Sequence, residues 1–442
     1  MALKLYNSLS RETEEFTPIT PDKVSLYTCG PTVYNYPHIG NYRAYIFGDM
    51  LKRYLKYSGY EVKHIMNITD IDDKTIRDSI EQGRTLKEFT EFYTEEFYKD
   101  RDALNIIKAE KYTKATDYVK EMLELTEKLI DNDHAYMTDD GSAYFSIEKD
   151  KEYGKLSHFT LSDLKENAKG RMKKDEYDKD SAQDFALWKS WDENDSDVFW
   201  NPSELLGTET KLVKGRPGWH IECSAMSIAE LGESFDLHTG GVDNMFPHHE
   251  NEIAQSECAT GKEFVKYWMH NEHLMVDGKK MSKSLGNFYT LRDLIDKGIE
   301  PLAFRLWLYT AHYRTKTNFT IDAVTGSANA LEKIYNSFKS LGGNTGKVSE
   351  EYKEKFVNFM NDDLDTPKAL ALMFDLIKDD SVSGEDKKAT MIDFDQVFGF
   401  GLSNIKEDVI PEEVMALADN RDPLRQNNDW AKSNELRVQI KS

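Results

Sequence analysis

The run VSLYTCGPTVYNYPHIGNYRAYIFGDMLKRYLKYSGYEVKHIMNI, residues 24–68, decides the fold. Its first six residues, Val24-Ser25-Leu26-Tyr27-Thr28-Cys29, read as a buried strand, and Gly30-Pro31 breaks it. A helix pattern runs from about Tyr42 to Tyr57, with Ile46, Met50, Tyr54 and Leu55 near one face and Gly59 beyond its end. Residues 61–68 read as a second strand. Strand, helix and strand in so short a span form a βαβ unit, and such a unit belongs in a parallel sheet.

Outward from this unit, residues 87–132 carry a helical pattern, and Asp140-Gly141 between two short strand-like runs marks a hairpin. Residues 161–215 are polar, with Lys, Asp and Asn throughout, and read as an irregular insertion. The βα pattern then resumes. Residues 219–231 read as a helix ended by Gly232, 235–239 as a strand, and 246–260 as a helix ended by Gly261. Residues 264–276 are strand-like and close on Asp277-Gly278. From about 300 onward the pattern is helical. Val324, Ala328, Leu331, Ile334, Phe338 and Leu341 keep a 3–4 spacing that predicts a bundle with its own core, and Gly342-Gly343 stops the run. Thr366-Pro367 reads as an N-cap followed by a first-turn proline. The whole is an α/β domain with an insertion, followed by an all-α part.

The chain has 442 residues, which suggests two to four domains. Hydrophobic residues make up 39% and charged residues 31%, enough apolar content for sizeable cores with a charged surface. No apolar run approaches the roughly 18 residues of a membrane span, and the first residues hold no secretory segment. Three cysteines, Cys29, Cys223 and Cys258, do not read as a disulfide framework, so the expected compartment is the cytoplasm. The net charge of −22 disfavours a nucleic-acid binder, but binding phosphates requires only a local basic stripe.

Three constellations carry chemistry. Pro37-His38-Ile39-Gly40-Asn41 stands at the mouth of the first helix, where free N–H groups and the positive dipole end suit anions. Gly40 lets a flat ring approach the backbone, and His38 can donate to a phosphate. Alone, His38 reads equally as a loop histidine satisfied locally. Lys279-Lys280-Met281-Ser282-Lys283-Ser284-Leu285-Gly286-Asn287 has the cations to neutralise charge on a leaving pyrophosphate. Alone, it reads more readily as a solvated basic loop. His248 and Glu252, four apart on a helix, share a face, and with Cys29 and Cys223 would suit zinc. There is no C-x-x-C, so spacing alone is a weak signal, and each cysteine reads singly as a small buried hydrophobe. His249, Glu250 and Cys258 keep that structural reading.

Taken together, the His-Ile-Gly-Asn and Lys-Met-Ser-Lys-Ser segments resemble the two signatures of class I aminoacyl-tRNA synthetases. Asn41 stands where a second histidine is usual. Residues 27–34, 67–74, 215–224 and 248–252 resemble the cysteinyl-tRNA synthetase family more specifically, in order over residues 1 to about 320. The resemblance implies a Rossmann-like catalytic domain and ATP-dependent activation of L-cysteine, with transfer to tRNA(Cys). It implies one Zn²⁺ held by Cys29, Cys223, His248 and Glu252, and Mg²⁺ with the ATP. It implies cysteine contacts at Gly30, Thr69, Trp219 and His238. ATP contacts are expected at His38, Gly40, Asn41 and Lys283, and catalytic roles at His38, Asn41, Lys280 and Lys283. A monomer without membrane association is expected.

The domain expectation that follows runs 1–110 for the first half of the catalytic domain and 111–215 for an insertion meeting the acceptor end of tRNA. Residues 216–275 would be the second half with the zinc site, 276–320 the lysine loop and stem contacts, and 321–442 a helical anticodon-binding domain. Residues 191–214 run longer than the resemblance leads one to expect. A short basic and aromatic segment is expected beyond Leu436-Arg437-Val438. Two rival readings are a cysteine:sugar-amine ligase of the mycothiol type, which needs no anticodon-reading tail, and a non-catalytic RNA-binding paralogue.

Overall fold

The structure is a computed structural model that describes residues 2–159, 184–281, 286–405, 412–427 and 429–441. At its centre lies a five-stranded sheet of β1 (Lys23–Thr28), β2 (Glu61–Ile68), β3 (Lys111–Lys114), β4 (Phe235–Gly241) and β5 (Val265–Asn271). The spatial order is β5-β4-β1-β2-β3, and every pair is parallel. The chain leaves β1 toward β2 and β3 on one side, then returns to place β4 on the other. That reversal makes a crevice at the carboxyl ends of β1 and β4, where ligands of open α/β sheets bind. Thr28 pairs with Thr239 across it.

Helix α1 (Ile39–Tyr57) links β1 to β2. One apolar face is expected from its sequence, but the structure buries it on nearly every side, Arg43, Asp49, Lys52 and Arg53 included. The sheet covers one side and the C-terminal helices cover the other. A helix walled in this way must pair its charges. Asp49 does so with Arg53 at 2.8 Å and with the fully buried Arg305.

Three sequence expectations change. The helical pattern of 87–132 is interrupted by edge strand β3, which lies between helices Leu86–Ala103 and Val119–Asp131. Four residues with one polar edge are too few to show a period of two. The insertion is not irregular where it is described, and residues 160–183 lie outside the described part. Phe185–Ser190 and Gly215–Pro217 extend the Asp140-Gly141 hairpin into a four-stranded antiparallel sheet. Within 191–214, Lys214 sits over the rings of Trp191 and Phe199 at 3.8 and 3.7 Å, and Leu212 is buried beside Trp188. The cap of helix Thr366–Lys378 is Asp365, whose side chain accepts from the Lys368 N–H. Thr366 is therefore inside the helix.

The C-terminal helices Ile321–Ser340, Glu350–Asn361, Thr366–Lys378 and Gly384–Phe398 pack on one another, Phe356 stacked on Phe394 at 4.2 Å, and their core runs on into that of the sheet domain. Leu26, Ile46 and Leu55 belong to one continuous apolar cluster with Phe304, Phe356 and Val397. No described helix is long and apolar enough to cross a membrane.

Candidate active site and metal centre

Cys29 directly follows β1, and its N–H donates to the Thr239 carbonyl of β4 at 3.2 Å. At Gly30 a Cβ would lie 1.8 Å from the Asn67 carbonyl oxygen, so only glycine lets the loop rest on β2. The Gly30 N–H donates to Asn67 Oδ1 at 2.7 Å. Helix α2 (Trp219–Leu231) brings Trp219, His220, Glu222 and Cys223 to the same end of the sheet. Helix α3 (Glu250–Thr260) brings Glu252, and His248 stands in the turn before it.

These elements gather one donor atom each from Cys29, Cys223, His248 and Glu252, all within 4.8 Å of one another. A tetrahedral site with bonds of about 2.0–2.3 Å puts its ligands roughly 3–4 Å apart, so the spacing suits an ion. His248 Nε2 lies 3.1 Å from Glu252 Oε1, yet that buried oxygen accepts no hydrogen bond among the described residues. Two donor atoms that close, with no proton aligned between them, are posed as co-ligands. His248 Nδ1 is held by His220 Nδ1 at 2.9 Å, which fixes the ring. A second set, Cys29, His238, His249 and Glu252, is equally compact. It offers one sulfur against two, and its His238 Nε2 and Glu252 Oε2 are already hydrogen-bonded to each other at 2.9 Å. The first set is the better fit.

The electrostatics favour a thiolate here. A hydrogen bond from Cys223 lowers the Cys29 thiol to about 6 against the opposing effect of burial, and the same bond together with burial pushes Cys223 up. Burial would lower His248, but the Glu252 carboxylate and the Cys29 thiolate outweigh it. Burial holds His220 and His249 well down, and so neutral. It also pushes the Glu222 carboxyl well up.

The metal-like cluster borders a cleft of about 540 Å³. Gly30, Thr69 and Trp219 line it, and Trp219 stacks on His248 at 4.4 Å. His238 is fully buried outside the cleft lining, stacked on Trp268 and directed at Glu252. At the other end stand His38, Gly40 and Asn41. His38 and Asn41 form a capping box: the Asn41 N–H donates to His38 Nδ1 at 3.2 Å, and the His38 N–H donates to Asn41 Oδ1 at 3.0 Å. With Nδ1 accepting, the neutral ring carries its proton on Nε2. A Cβ at Gly40 would lie 2.9 Å from the His38 ring. Lys280 and Met281 close this end, and Lys283 lies outside the described residues. The Ile39 N–H donates to the Tyr289 carbonyl at 2.9 Å, tying the helix mouth to the segment after the lysine loop.

Sequence reasoning gave no separate role to Asn67, Glu222, His220 and His270. One signal was available for the first: Asn67 and Thr69 are two apart at a strand end and so share a face.

The family described as "tRNA synthetases class I (C) catalytic domain" matches residues 15–329, and a "DALR domain" matches residues 355–381. The chain is 45% identical over 460 residues to a protein named cysteine–tRNA ligase from Brachyspira hyodysenteriae, covering 99% of this chain and 95% of that one. It is 43% identical over 469 residues to a cysteine–tRNA ligase from Chlamydia muridarum, covering 100% and 96%. Among solved structures, Mycobacterium tuberculosis methionyl-tRNA synthetase with methionyl-adenylate aligns at a TM-score of 0.57 and 14% identity, over 86% of this chain and 90% of that one. A ternary complex described as Agrobacterium radiobacter K84 agnB2 LeuRS-tRNA-LeuAMS aligns at 0.61 and 11% identity, over 88% and 87%. At those identities the likeness is one of fold.

Proposed function

Since the chain belongs to the cysteine–tRNA ligases of the class I synthetase family, we propose that its cleft activates L-cysteine with ATP as an adenylate and passes the cysteinyl group to tRNA(Cys). The observation that carries the reading is the Cys29, Cys223, His248 and Glu252 cluster beside the cleft, with a Glu252 oxygen unsatisfied among the described residues.

In the first step the cysteine carboxylate attacks the α-phosphorus of ATP, and pyrophosphate leaves. The residues here position and stabilise charge. His38 donates from Nε2 to a phosphate oxygen, and the N-terminus of α1 adds its positive dipole end. Gly40 keeps the space that His38 occupies. Asn41 holds His38 in place through the capping box. Lys280 faces the cleft and neutralises charge on the departing pyrophosphate, and Lys283 is assigned the same work by its place in the sequence. Mg²⁺ accompanies the nucleotide. In the second step the 2′-hydroxyl of the terminal ribose attacks the adenylate carbonyl, and AMP leaves.

The four-residue cluster fits a zinc ion. Cys29, Cys223, His248 and Glu252 would hold the ion, which would supply a Lewis acid favouring a thiol over a serine hydroxyl, far harder to ionise. Gly30, Thr69 and Trp219 then surround the rest of the amino acid, and His238 acts through Glu252. Shape alone separates such near-isosteres poorly. The protein acts as a cytoplasmic monomer in this reading, and its helical C-terminal part holds the far end of the tRNA.

The test is aminoacylation of total tRNA with radiolabelled cysteine. Acid-precipitable, alkali-labile label on tRNA(Cys) is expected. Label that passes only to a sugar amine, or none at all, overturns the reading.

A further inference from the structure

Asn67 and Glu222 belong neither to the metal-like set nor to the phosphate end, yet both are buried against Thr69. The groups that can only donate orient these hydrogen bonds. The Gly30 N–H can only donate, so the atom facing it at 2.7 Å is Asn67 Oδ1. That orients the amide and leaves Asn67 Nδ2 toward Thr69 Oγ1 at 3.1 Å. An amide NH₂ also only donates, so Thr69 Oγ1 accepts there. The hydroxyl's own hydrogen then goes to Glu222 Oε2 at 3.0 Å. That oxygen accepts whether the carboxyl is charged or carries its proton on the other oxygen. The backbone of Thr69 is pinned as well: its N–H donates to Pro31 at 3.0 Å and its carbonyl accepts from Val33 at 3.1 Å.

A hydroxyl has one hydrogen and two lone pairs. With the hydrogen and one lone pair used, Thr69 offers the cleft a single acceptor. We infer that Asn67 and Glu222 are positioning residues that turn the Thr69 hydroxyl into an obligate acceptor, so that this wall of the cleft selects the ammonium group of the amino acid. The inference rests on the reading of the cleft as a cysteine site. Without Glu222, the hydroxyl hydrogen turns toward the cleft and opposes an N–H donor.

The test uses inhibition of cysteine-dependent pyrophosphate exchange by two thiols, in the full-length protein. Cysteamine keeps the amine and lacks the carboxylate, and 3-mercaptopropionate is the reverse. Glu222→Leu should raise the KM for cysteine and the Ki for cysteamine about tenfold, the scale of one buried hydrogen bond. It should leave kcat and the Ki for 3-mercaptopropionate near their original values. Glu222→Gln, which keeps an acceptor oxygen, should restore cysteamine binding. Equal weakening of both inhibitors would mean a merely structural role and overturn the inference. So would unchanged cysteamine inhibition in the isosteric Thr69→Val, which tests the acceptor even where Glu222→Leu fails to fold. Failure of the unsubstituted protein to exchange with cysteine would instead overturn the reading of the site, and the inference with it.

Discussion

Replacing Cys223 with alanine removes one of four donor atoms gathered within 4.8 Å. Metal analysis of the purified protein should find about one zinc per chain, and Cys223→Ala should lower it. Full occupancy in a variant lacking both Cys29 and Cys223 would contradict the assignment. Lys283→Ala should slow cysteine-dependent pyrophosphate exchange roughly 10²–10³-fold while leaving the cysteine Kd nearly unchanged, the scale of one donor aimed at developing charge. A variant whose only defect is weak cysteine binding would argue otherwise. At this scale the sequence was legible where chemistry sits in short motifs. His38, Asn41, His248 and Glu252 announce themselves by neighbours three or four residues away. Asn67 and Glu222 stand 155 positions apart in the chain and meet only through Thr69. No local pattern records such a contact.

Among the elements, β2 carries His64 into the interior beside α1. Its Nε2 lies 2.8 Å from Thr28 Oγ1, its Nδ1 has no partner among the described residues, and burial lowers it to about 3. The unfolded chain takes up a proton near pH 6.5 while the folded one does not. Stability therefore falls as pH drops from about 6.5 toward 3, with a slope of up to about 1.4 kcal/mol per pH unit from this group. A pH series of urea melts on His64→Gln should show a shallower decline across that window, and an unchanged slope would contradict the burial account. The strands and helices of the sheet were readable because α1, α2 and α3 end on Ser58-Gly59, Gly232 and Gly261, close to the expected stops. What escaped was short or tertiary. β3 exists because β2 offers it a backbone edge, and its sequence hides in a longer helical rhythm.

For the molecule as a whole, the shared core matters most. Arg305, fully buried, donates to Asp49 of α1, to the Leu104 carbonyl at 3.0 Å and to the Phe398 carbonyl at 2.6 Å, so it joins the sheet domain to helix Gly384–Phe398. Arg305→Leu leaves Asp49 buried without one of its partners and should cost about 3–5 kcal/mol in denaturant melts. A loss below about 1 kcal/mol would mean the cluster is solvated. A chain ending near Asn318 exposes the apolar face that Phe356, Phe394 and Val397 cover, and it should lose cooperative unfolding along with tRNA charging. The regular spacing after 321 showed that helices pack, but not against what, since amphipathicity names a face and not its partner. The same molecule-wide arrangement brings β1, α2 and α3 to one end of the sheet and places the four-donor cluster beside the cleft. The most direct measurement is ATP–pyrophosphate exchange with cysteine and with serine, side by side, on the full-length protein. Thiolate selection predicts rapid exchange with cysteine and barely any with serine, and comparable rates with the two would contradict it.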